Sequence, residues 1–169
     1  KETNKDFLKN ASVIIWTTTP WTIPANRALA FNKSIEYSVL EIDDLEHFKD
    51  KKIVVAKNLI STIIKECNIQ NYKELKTFNG SEFKGTICNH PFIKLNFDQD
   101  IPMLDAQFVN LEQGTGIVHC APSHGPDDFN LCLNNGIKAI ETVDGDGKYT
   151  KNVPLFEGLH IFKSNSIVI

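Results

Sequence analysis

Along residues 36–42 the side chains alternate, with Tyr37, Val39 and Glu41 on one face and Ser38, Leu40 and Ile42 on the other. That period of two predicts a strand. Runs rich in β-branched and aromatic residues at 12–16, 52–56, 107–111, 116–120 and 137–143 read the same way. Between 58 and 67 the period changes: Leu59, Ile60, Ile63, Ile64 and Cys67 fall at helical spacing, leaving Ser61 and Lys65 to solvent. This predicts an amphipathic covering helix. A second helix is predicted over 126–134, with Pro126 at an early position, Asp127 and Asp128 in the first turn, and Gly136 beyond its end. The last four residues read as the beginning of another strand. No repeat or Pro/Gly/Ser linker divides the chain, so the expectation is one mainly β domain with flanking helices (α+β) over 1–169.

A length of 169 residues with 41% hydrophobic content is enough to fill one core. The net charge is −3, and the basic residues are seventeen Lys and a single Arg, Arg27. No basic field of the kind a general nucleic-acid binder carries is present, so any contact with nucleic acid must be local. No apolar run reaches the length of a membrane span, and the first ten residues lack the apolar core of a signal peptide. Cys67, Cys88, Cys120 and Cys132 contain no C-x-x-C pair, so reduced thiols in a cytoplasmic protein are expected. The absence of an initiator Met and the ending within an apolar run suggest a piece of a longer polypeptide.

Two stretches concentrate polar chemistry. In the first, Thr17, Thr18, Thr19 and Thr22, with Trp21 and Asn26, follow a predicted strand that Pro20 and Pro24 prevent from continuing. Hydroxyls and released backbone groups suit a site that positions a ligand or water, whereas threonine is also simply a good strand residue. No base stands beside them to make one a nucleophile. The second stretch, 114–128, combines a Gly turn (Gly114, Gly116), an apolar strand ending in His119 and Cys120, a loop with His124, and Asp127 and Asp128 in a first helical turn. The helix dipole favours a carboxylate there as the anion, able to receive an ammonium group. Ordinary capping is the competing use, with one aspartate capping and the other free to face a pocket. Zinc ligation by His119, Cys120, His124 and Asp128 fits no standard spacing, and His119 and Cys120 point to opposite faces of a strand. A catalytic thiol at Cys120 or Cys67 has no signature. Asp144-Gly-Asp-Gly lacks the further acidic positions of a calcium loop and reads as a turn.

Together, Thr-Thr-Thr-Pro-Trp-Thr-Ile-Pro-Ala-Asn at 17–26 and Gly-Thr-Gly-Ile-Val-His-Cys-Ala-Pro-Ser-His-Gly-Pro-Asp-Asp at 114–128 resemble the editing (CP1) domain of isoleucyl-tRNA synthetases. The likeness extends through His90-Pro91-Phe92, the 144–149 turn, and 156–158 on to 162–165. Valyl and leucyl relatives carry an Arg where Thr19 stands. The chain departs from the family pattern at Cys120 (usually Thr), Ser123 (usually Gly) and Ile23 (usually Leu). The resemblance implies a β-barrel with flanking helices, inserted in the catalytic core of a larger synthetase. It implies hydrolysis of valine misattached to tRNA(Ile), and of valyl-adenylate as a further substrate. Ile against Val is itself the usual worked example of why such a site exists: one methylene gives only about 1–3 kcal/mol of discrimination, so a second sieve is needed.

By the same resemblance, Asp128 holds the α-ammonium, Thr18 and Thr19 contact the substrate and help place the water, and Thr17 and Asn26 belong to the same run. His119 lines the side-chain pocket and excludes isoleucine. Trp21, Gly116, His124 and Asp127 complete the expected substrate-binding set. No metal and no cofactor are expected in this domain, ATP and magnesium belonging to the parent's core. Expected partners are the valine-bearing acceptor end of tRNA(Ile) and the rest of the synthetase, with no membrane and a monomeric state. The alternatives are a catalytically silent module that docks the tRNA acceptor end, and the editing domain of a valyl or leucyl relative.

Overall fold

Eight strands and three helices form in the computed structural model, which describes residues 1–43 and 51–168. The first sheet joins β1 (Ala11–Val13), β3 (Glu36–Ile42), β4 (Lys51–Ala56) and β5 (Tyr72–Asn79) in the order β1-β4-β3-β5. β1 runs parallel to β4, and β3 runs antiparallel to both β4 and β5, with a register shift at Val39/Leu40. β3 matches its expected span, yet it is buried on both faces rather than one. Ser38, wholly buried, satisfies its hydroxyl by donating to Glu74 at 2.7 Å. The second sheet joins β2 (Ala28–Phe31), β6 (Ile87–Asn89), β7 (Asp100–Asp105) and β8 (Val118–Cys120) in the order β6-β7-β2-β8.

The closed barrel is not found among the described residues. Each sheet keeps two edges, and of the four edge strands β1, β6 and β8 are three residues long, too short to form a closing seam. The fold class itself, mainly β with helices, stands. Helix α1 (Ile60–Glu66) continues a 3-10 turn at Lys57–Leu59 and buries Leu59, Ile60 and Ile63, as its pattern predicts, although Cys67 is exposed. α2 (Pro126–Asn134) forms over the expected residues. The final segment is a helix, α3 (Ile161–Val168), and not a strand; Ile169 lies outside the described residues. Serine at positions 164 and 166 places its apolar neighbours at helical rather than alternating intervals, and Ser164 returns its hydroxyl to the Ile161 carbonyl at 2.6 Å. The runs at 107–111 and 137–143 form no strand, only the single bridge Val143–Tyr149.

The chain divides into two compact units interleaved in sequence: 1–16, 30–86 and 103–118 in the first, 17–29, 87–102 and 119–169 in the second. The first holds the sheet around β3, with Tyr37, Val54, Phe78 and Phe83 in its interior. Gly116 lies here with φ +77°, and a Cβ on it would stand 2.3 Å from that of Ala56. Both the left-handed backbone and the close approach therefore require glycine. The second unit has its own core of Phe97, Tyr149, Val153 and Phe156, against which Trp21, Phe92 and Ile161 pack.

Candidate functional site

The first polar stretch and residues 119–128 of the second meet inside the second unit. Pro20 opens a 3-10 segment, Pro20–Ala25, and Asn26 ends it, so the threonine run leaves the sheet as a tight coil. Thr19 stands before it: its N–H donates to Thr17 Oγ1 at 3.0 Å, and its carbonyl receives both the N–H (2.9 Å) and the hydroxyl (2.8 Å) of Thr22. Thr18 and Thr19 are exposed and Thr17 half-buried. Where the coil becomes β2, the Arg27 N–H donates to the Cys120 carbonyl at 2.9 Å, which lays β8 beside it.

His119 faces this coil, with Nε2 3.0 Å from Thr22 Oγ1. The single hydroxyl proton of Thr22 is committed to the Thr19 carbonyl, so Thr22 accepts and His119 donates. That choice fixes the Nε2–H tautomer and leaves Nδ1 as an acceptor, buried without a protein partner among the described residues. Asn26 Oδ1 is a second buried acceptor in the same condition. Sequence reasoning did not assign Thr22 this role; its position three residues after Thr19, one turn of a 3-10 coil, was the available signal. His124 Nε2 lies 2.7 Å from Thr142 Oγ1, and its ring meets that of Trp21 edge-on, centroids 4.9 Å apart. Ser123, where the family has Gly, donates its hydroxyl to the Ile140 carbonyl. Tyr149 was also missed: its hydroxyl donates to the Trp21 carbonyl at 2.6 Å and pins the coil from behind.

Asp128 does not cap its helix. The N-cap is Gly125, which has no side chain, and Asp128 Oδ2 instead accepts the Ala121 N–H at 2.9 Å, tying the loop to α2. A Cβ at residue 125 would lie 3.4 Å from the Asp128 carboxyl carbon, so glycine gives the carboxylate room. Burial raises the Asp128 pKa, against the Ala121 hydrogen bond, and the charge of Asp127 adds to the rise. Half-burial thus opposes the helix dipole's preference for the anion, and the net shift is upward. Asp127 itself is exposed on α2. Among the expected residues only Gly116 falls in the other unit. Asp144 makes the predicted turn, its Oδ1 accepting the Asp146 and Lys148 N–H groups.

Burial pushes His119 down to about 4, with His124 adding to the drop, and His90, held between the Phe92 N–H (3.1 Å) and the Ile23 carbonyl (3.1 Å), likewise to about 4. Both imidazoles are therefore neutral near pH 7. Between the ordinary histidine value of 6.5 and about 4, the folded chain binds fewer protons than the unfolded chain, so acid favours unfolding. Each histidine adds up to about 1.4 kcal/mol of lost stability per pH unit in that window, none of it above pH 6.5. Urea unfolding at pH 7.5 and pH 5 should show this loss, reduced in His90→Gln; equal stability at the two pH values would contradict it.

Comparison with known proteins identifies the family. The family model for the leucyl-tRNA synthetase editing domain matches residues 33–165. An isoleucine–tRNA ligase of Pelagibacter ubique is 68% identical over all 169 residues, and one of Gluconobacter oxydans is 43% identical over 161. The chain spans only 19% and 17% of the length of these two relatives. In fold, it is similar to the editing domain of the Plasmodium knowlesi cytosolic leucyl-tRNA synthetase, with a TM-score of 0.69, 13% identity, and coverage of 98% of this chain and 82% of that one. A P. falciparum counterpart with two insertions deleted gives 0.65 at 14% identity, covering 95% and 76%. No helix among the described residues is long and apolar enough to cross a membrane. With residues 17–26 and 119–128 of its two motifs in one unit and a near-full-length family match, the chain belongs to the editing domains of class I aminoacyl-tRNA synthetases, as the editing domain of an isoleucyl-tRNA synthetase.

Proposed function

We propose that this domain hydrolyses the ester of valine misattached to tRNA(Ile), within a ligase that joins isoleucine to that tRNA. The observation that carries the reading is the meeting of the threonine coil with the His119–Asp128 segment through the 3.0 Å Thr22–His119 contact. Asp128, half-buried and already holding the Ala121 N–H, offers its remaining lone pairs to the α-ammonium. Neutral His119 closes the side-chain pocket by its volume, held in one orientation by Thr22. The exposed hydroxyls of Thr18 and Thr19 orient a water on the ester carbonyl. Its oxygen adds to the carbonyl carbon, the bond to the ribose oxygen breaks, and the water's proton passes to that oxygen, releasing valine and tRNA. An activated ester needs orientation more than a nucleophilic side chain, and Thr22, the threonine that touches an imidazole, gives its hydroxyl proton to the Thr19 carbonyl instead. Valyl-adenylate, with the same ammonium and side chain, fits as a second substrate.

The test is deacylation by the full-length ligase. Val-tRNA(Ile) should be hydrolysed at least about tenfold faster than Ile-tRNA(Ile), the lower end of what one methylene supports. Equal rates, or no hydrolysis of either, would reduce the domain to a docking module for the acceptor end.

A further inference from the structure

A cavity of about 560 Å³ opens in the same unit, and its walls contain none of Thr17, Thr18, Thr19, His119 or Asp128. It is lined by Arg27, Leu95, Phe97, Ile140, Thr142 and Leu155 among others. Three of these apolar side chains are unusually open to solvent: Leu95 at 50%, Leu155 at 54% and Ile140 at 38%. Beside them stands the chain's one guanidinium, half-buried, with Nε buried and unpartnered and no carboxylate partner among the described residues. Thr142 belongs both to this wall and to the candidate site, through its 2.7 Å contact with His124.

We propose that this cavity seats a nucleotide of the tRNA acceptor strand just before the esterified end, its phosphodiester on Arg27 and its base against Leu95, Ile140 and Leu155. The inference rests on the editing reading and extends it to a named RNA subsite. A half-buried guanidinium without a carboxylate calls for an anion, and its planar fork of donors matches phosphate oxygens. The volume falls in the range of organic ligand sites and is far larger than a lone inorganic ion needs. Exposed aliphatic side chains next to the charge give a base face a surface to lie on. With a net charge of −3 the domain has no general field for RNA, so affinity must come from local contacts of this kind.

Leu155 is exposed, so Leu155→Glu tests the cavity without disturbing the core; Arg27→Gln is the companion variant. In the full-length ligase, both should raise KM for Val-tRNA(Ile) deacylation about tenfold or more, as loss of one charge-assisted contact or an added repulsion does. Hydrolysis of the valyl ester of adenosine, which has no phosphodiester, should change by less than about twofold, because the reacting groups are untouched. Equal losses on both esters, or no loss on either, would overturn the subsite. If the unmutated ligase hydrolyses neither ester, the editing reading fails, and the cavity is judged by binding alone: ethylation of 3′-terminal phosphates should weaken tRNA binding to the unmutated ligase but not to Arg27→Gln. Equal interference in the two proteins would then overturn it.

Discussion

Replacing Asp128 with Asn is expected to lower kcat/KM for Val-tRNA(Ile) deacylation by about two orders of magnitude, the scale of a lost pairing between a desolvated carboxylate and an ammonium. The substitution keeps the fold. An asparagine oxygen can still accept the Ala121 N–H that Asp128 holds at 2.9 Å, so the loop stays tied to α2 while the charge disappears. Asp128→Ala is the harsher variant, since it also strands that N–H. Kinetics on the full-length ligase, with thermal unfolding alongside, separate the two effects. Asparagine retaining activity within about threefold would remove the ammonium contact from the mechanism, because that contact depends on charge. The same carboxylate carries a pH signature: its pKa is raised by burial, so the acid limb of kcat/KM should lie above the ordinary aspartate range, and it should vanish in the Asn variant.

His119→Ala is expected to change what the site accepts more than how fast it works. The imidazole is 9% exposed, hydrogen-bonded through Nε2 to Thr22, and neutral at pH 7, so its contribution is volume held in one place. Without it, the pocket gains space for the extra methylene of isoleucine. Hydrolysis of Ile-tRNA(Ile) should rise to within about tenfold of the valyl ester, the small advantage that remains when only one methylene separates two substrates. Thr22→Val tests the same idea from its support: the ring stays but loses its acceptor, and discrimination should fall part of the way. Unchanged selectivity in both variants would show that another wall sets the limit. His119→Gln distinguishes volume from acid–base chemistry, since a side chain of similar reach that cannot titrate should keep most of the selectivity.

Elements written in local pattern came through intact. β3 and α2 occupy their expected spans because alternation, the early Pro126 and Gly136 act within a few residues and need no partner elsewhere. β2, β5, β6 and β7 were not recognised. In β5 the pattern of exposure is almost uniform, and only pairing with β3 makes it a strand. The opposite error, at 107–111 and 137–143, has the same origin: β-rich composition without a neighbouring strand to complete the ladder yields turns and irregular chain.

The identity of the family was readable from two runs of residues, because their order along the chain is itself the signal. How those runs cooperate was not, since Thr22 and His119 are 97 positions apart and become partners only when the Arg27 N–H reaches the Cys120 carbonyl. The direction of the Asp128 pKa shift shows the limit most directly. Its place in the first turn of α2 argues for an easy anion, but solvent exposure is a property of the folded surroundings, and burial reverses the direction. Residue type and spacing thus determine local conformation and the inventory of donors and acceptors, whereas dielectric surroundings, tautomer and the buried, unpartnered Nε of Arg27 arise from long-range packing that no local interaction encodes.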